Sequence, residues 1–72
     1  MRLPLLSGKQ VHAALQRMGF VEIHRKGNHV KMEHPNGRRI VFPHHDEIDR
    51  RTLRGALRDA VVPEEDFLDH LK

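Results

Sequence analysis

Val21-Glu22-Ile23-His24-Arg25-Lys26-Gly27-Asn28-His29-Val30-Lys31-Met32-Glu33-His34-Pro35-Asn36-Gly37-Arg38-Arg39-Ile40-Val41-Phe42 is the stretch that decides the fold. Three short runs alternate with a period of two and are separated by turn residues, the pattern of strands joined by tight hairpins. Val21, Ile23 and Arg25 alternate with Glu22, His24 and Lys26; Val30, Met32 and His34 alternate with His29, Lys31 and Glu33. Gly27-Asn28 suits a two-residue type II′ turn, because glycine accepts the positive φ at its first central position. That loop sets Lys26 opposite His29 and Ile23 opposite Met32. Pro35-Asn36-Gly37 suits a three-residue loop closed by a left-handed glycine, which pairs Met32 with Ile40 and Val30 with Phe42. A two-residue Asn-Gly loop would instead set Met32 against Val41 and turn Ile40 to the polar face. The expected sheet is apolar on one face. The other face collects His24, Lys26, His29, Lys31, Glu33, Arg39 and Val41.

Helical patterns lie on both sides of this stretch. Ser7 and Gln10 have the spacing of a capping box, with Leu6 and Val11 at the positions of a hydrophobic staple. Val11, Ala14, Leu15 and Met18 then form one apolar stripe, and Gly19 supplies a left-handed stop. After the polar connector His44-His45-Asp46-Glu47, Leu53, Ala56, Leu57 and Ala60 form a second stripe, with Asp49 as its cap. Pro63-Glu64-Glu65-Asp66 opens a short third helix, with acids in its first turn and Phe67, Leu68 and Leu71 to pin it. The architecture is α+β, in the order α-β-β-β-α(-α). The three-stranded antiparallel sheet carries its helices on one face, as in a double-stranded RNA-binding domain.

Seventy-two residues suffice for a single small domain, expected to span residues 1–72. The chain has no cysteine, which excludes disulfides and thiolate metal sites and is compatible with a reducing cytoplasm. Leu3-Pro4-Leu5-Leu6 is too short for a signal-peptide core or a membrane span, so a cytoplasmic protein without membrane contact is expected. The net charge is +3, unevenly spread: residues 24–39 hold five bases against Glu33, whereas residues 46–72 hold eight acids against five bases. A basic middle on a small domain is the footprint of a polyanionic partner, or else an ordinary solvated face.

His29 is the residue with chemical promise. It follows a Gly-Asn turn on the open face, with Lys26 opposite and Lys31 two residues on. Imidazole is the proton donor and acceptor suited to neutral pH, and lysines hold phosphate. A surface histidine on a hairpin would have the same surroundings. His44 and His45 point to opposite sides of an extended chain and have no second ligand cluster, so no metal site and no cofactor are expected. Ser7 and Thr52, the only hydroxyl residues, stand where helix starts want them. With Phe20, Phe42 and Phe67 as the only aromatics among Phe, Tyr and Trp, the composition argues against a base-stacking sheet.

Leu6-Ser7-Gly8-Lys9, Met18-Gly19-Phe20, Arg25-Lys26-Gly27-Asn28-His29, His34-Pro35-Asn36-Gly37-Arg38 and Val41-Phe42-Pro43 together resemble the HicA toxin family. Residues 52–60 and 64–68 are similar to its C-terminal half, so the likeness runs in order over nearly the whole chain. The resemblance implies a small mRNA-cleaving toxin with a dsRNA-binding-like fold, held inactive by a HicB-type antitoxin. It implies His29 as the catalytic histidine. Asn28 stands where the family carries a hydroxyl residue, and Arg51 where it carries glycine. The expected activity is metal-independent cleavage of RNA by 2′-hydroxyl attack, leaving a 2′,3′-cyclic phosphate. Lys26, Asn28, Lys31, Arg39 and His24 would bind the RNA, and His24 or Lys26 would supply a second acid–base group. A non-catalytic RNA-binding module is the alternative, and a protein-interaction domain with a basic face is a third reading.

Overall fold

The computed structural model describes residues 3–71. The elements follow the expected order: α1 (Gly8–Arg17), β1 (Val21–Lys26), β2 (His29–Glu33), β3 (Arg39–Pro43), α2 (Arg50–Asp59) and α3 (Glu64–Asp69). The strands form one antiparallel sheet in the order β1-β2-β3. Val30, Met32, Ile40 and Phe42 line its covered face and are fully or almost fully buried. They share the core with Val11 and Leu15 of α1, Leu53 and Leu57 of α2, and Phe67 of α3. The opposite face is open, and Val41 in the middle of β3 is half exposed there.

Local chemistry fixes the element ends. Ser7 Oγ accepts from the Gln10 amide at 3.2 Å while Gln10 Oε1 accepts from the Ser7 amide at 3.0 Å, so the capping box closes in both directions. Gly19, at φ 101°, ends α1, with the Phe20 amide donating back to the Leu15 carbonyl. Asp49 caps α2 by accepting from the amides of Arg51 and Thr52. Gly8 has a further reason to be glycine: a Cβ there would stand 2.6 Å from the His44 Cα. That close approach lets the Gly8 amide donate to the His45 carbonyl at 2.7 Å, and a bridge between Leu6 and Ile48 continues the tie.

Both hairpins have the expected loops. Gly27 is at φ 58°, Lys26 pairs with His29, and Met32 pairs with Ile40 and Val30 with Phe42 across the Pro35-Asn36-Gly37 loop. One expectation fails. A β-bulge between Glu22 and His24 adds a residue to β1, so Glu22 rather than Ile23 is partner to Met32. Ile23 is consequently half exposed and Val21 more so, while Glu22 turns to the helix side, the side on which Arg25 was expected and stays. An edge strand tolerates such a bulge because only one of its sides is hydrogen-bonded. The switch is also stabilised by what Glu22 meets there, described below.

Candidate nucleic-acid interface

Antiparallel partners project to the same side of a sheet, so the register lays the open face out in rows. The row beside the Gly27-Asn28 turn is Lys26, His29 and Pro43; the next is His24, Lys31 and Val41; the last is Val21, Glu33 and Arg39. Two histidine–lysine pairs therefore stand side by side at the turn end. His24, Lys26 and His29 are exposed and Lys31 is half-buried. None of the four joins an ion pair among the described residues, whose sheet pairs involve Arg25 and Arg39 instead. The arrangement can hold an anion over exposed imidazoles.

The other expected residues divide. Arg39 lies on the open face, but its Nε donates to Glu33 at 2.7 Å, so its charge is largely matched there. Asn28 lies in the turn, and its carbonyl accepts from the His44 amide, which ties the turn before His29 to the connector after β3. Arg38, counted in the basic stretch, is folded away. It lies over the Phe20 ring at 5.6 Å from the centroid and donates from Nη1 to the Val61 carbonyl at 2.9 Å. Among the described residues, no group of three or more His, Cys, Asp or Glu side chains converges as a metal site would require.

Sequence reasoning missed a second polar cluster, on the helix side of β1. Glu22 accepts from Arg25 through both oxygens, at 2.9 and 3.2 Å, and its Oε1 lies 2.9 Å from His12 Nε2 on α1. Hydrogen bonds from Arg25 and then His12 hold the Glu22 carboxyl down at about 2, and Glu22 in turn raises Arg25. His44 turns its ring toward His12, with centroids 6.4 Å apart. A signal was present: Lys9, His12, Ala13 and Gln16 recur at helical spacing beside the buried stripe. The bulge that brings Glu22 to them has no glycine to mark it.

The family model for the HicA toxin of bacterial toxin–antitoxin systems matches residues 8–62, well over half of the chain. The chain belongs to the HicA toxin family. No curated protein matches it. Membership makes it the toxin of a toxin–antitoxin pair, with an antitoxin as its partner. The matched segment of this HicA-family toxin begins at α1 and contains the whole sheet and α2. No helix among the described residues is long and apolar enough to cross a membrane.

Proposed function

We propose that this HicA-family toxin is a cytoplasmic, single-domain endoribonuclease that cleaves mRNA on the open face of its sheet, without a metal or other cofactor, using His29. The observation that carries the reading is the pair of rows Lys26–His29 and His24–Lys31, free of ion pairs among the described residues, with all but the half-buried Lys31 exposed. A base takes the proton of a ribose 2′-hydroxyl, and its oxygen attacks the adjacent phosphorus. The bond to the 5′-oxygen breaks as an acid protonates it, leaving a 2′,3′-cyclic phosphate and a 5′-hydroxyl. His29 performs one of these transfers. His24 is the better second group, because it is a diagonal neighbour of His29, roughly 7–8 Å away in such a sheet. That span leaves room for a phosphodiester between two imidazoles. Lys26 and Lys31 hold the phosphate and offset the charge that grows on it.

A HicB-type antitoxin would silence such a site by covering it with acidic groups. The test of the cleavage reading compares wild type with His29→Ala on an RNA strand and on its 2′-deoxy counterpart. Wild type should cut only the RNA, and His29→Ala should be about 10²–10⁴-fold slower with RNA affinity retained. Equal cleavage by the two proteins would remove His29 from catalysis. Cleavage of the 2′-deoxy strand would remove the mechanism. RNA affinity without cleavage by wild type would leave a binding module.

A further inference from the structure

Lys9, His12, Gln16, Glu22, Arg25 and His44 line a cavity of about 360 Å³ on the helix side of β1. Cleavage on the opposite face leaves all six unused. We propose that this cavity is a subsite for one backbone phosphodiester of the same RNA strand, next to the scissile group, occupied as the strand turns around the edge of β1. The proposal rests on the RNA reading of the open face.

The donor set fits one singly charged phosphodiester. Lys9 and Arg25 against Glu22 leave one fixed positive charge, which matches a backbone phosphate and not a terminal dianion. Arg25 uses Nε and Nη2 on Glu22, so both N–H groups of Nη1 are free of that clamp. A guanidinium already held by a carboxylate loses little freedom when it takes an anion. Lys9 is exposed and joins no ion pair among the described residues, so it can close over the ligand. The contact of His12 with Glu22 fixes its ring at the wall, and Gln16 adds an amide donor one helical turn on. The volume lies near the lower limit of ligand cavities, a size for one sugar–phosphate unit.

Position argues for the same strand. Arg25 and Lys26 are consecutive on an edge strand and project to opposite faces, one into the cavity and the other beside His29. His44 lines the cavity, and its amide holds the carbonyl of Asn28, the residue before His29. No strand lies outside β1 among the described residues, so nothing there blocks a chain from crossing it.

The test titrates a fluorescent 2′-O-methyl RNA octamer, which resists 2′-hydroxyl cleavage, against wild type, Lys9→Glu, Lys26→Glu and Arg51→Glu. Glutamate suits the first turn of a helix, so Lys9→Glu should fold. Arg51→Glu makes the same charge change at an exposed position of α2 and sets the baseline for long-range electrostatics. Lys9→Glu should weaken the octamer about tenfold beyond that baseline. The log–log salt slope should become shallower by about 0.7, as for one phosphate on a single strand. In wild type, the octamer should shift the His12 ring resonances. Lys9→Glu binding no worse than Arg51→Glu, or His12 signals moved by an acidic peptide and not by the RNA, would overturn the subsite. The open-face reading fails separately: it falls if Lys26→Glu matches the baseline, whatever Lys9→Glu does.

Discussion

Val61 is the residue whose backbone departs furthest from its type. It sits at φ 56°, where a β-branched side chain is crowded, and it is the left-handed residue after α2. Its amide donates to Arg58 and that of Val62 to Leu57, the same closure that Gly19 makes after α1. Because left-handed backbone costs an L-residue roughly 1–2 kcal/mol and glycine loses part of that gain to unfolded-state entropy, Val61→Gly should stabilise the protein by up to about 1 kcal/mol. Thermal or urea unfolding would read it. Glu22 gives a pH prediction. Its folded value of about 2 lies below the ordinary 4.5, so its contribution is complete above about pH 4.5 and is lost as pH falls toward 2. The stability gap between wild type and Glu22→Gln should therefore be flat near neutrality and close over that acid window, as urea titrations at a series of pH values would show.

Among the elements, β1 shows how one extra residue re-aims a strand. The two-residue turn sets the register from His24 to Lys26, and the bulge resets it at Glu22. Removing Ile23, which is half exposed, would leave both sets of partners intact and simply delete the extra residue. Deletion of Ile23 should thus keep the sheet, with cross-strand amide contacts from Lys26 to Val21 unchanged by NMR. What it should alter is the spacing of Glu22 and Arg25, which lie three apart and meet because the intervening backbone bends. The contact of His12 with Glu22 should weaken with it, seen as a change in the His12 ring resonances.

Across the whole molecule, charge is sorted by the fold. Of the bases in the central stretch, Arg25, Arg38 and Arg39 are engaged, while Lys26 and Lys31 stay free of ion pairs among the described residues. An acidic antitoxin surface would be steered by those two lysines, so Lys26→Glu with Lys31→Glu should slow association by at least tenfold at low salt. Stopped-flow mixing with the antitoxin measures it, and Arg39→Ala should change the rate far less. The two hairpin loops, the capping box and the Gly19 stop were legible in the sequence, because each depends on residues only a few positions apart. The same local logic put His24, Lys26, His29 and Lys31 on one face, since turn type and alternation fix parity near the turn. Parity beyond the bulge was not legible: Ile23 was expected inside and Glu22 outside, and the reverse holds. The bulge is favoured by a partner distant in the chain, since it lets Glu22 meet His12 on α1. Val61 in a glycine-like conformation is likewise held from afar, by Arg38 on its carbonyl. Nearest-neighbour chemistry is written in the sequence, whereas a bond between remote residues exists only once the tertiary fold has brought them together.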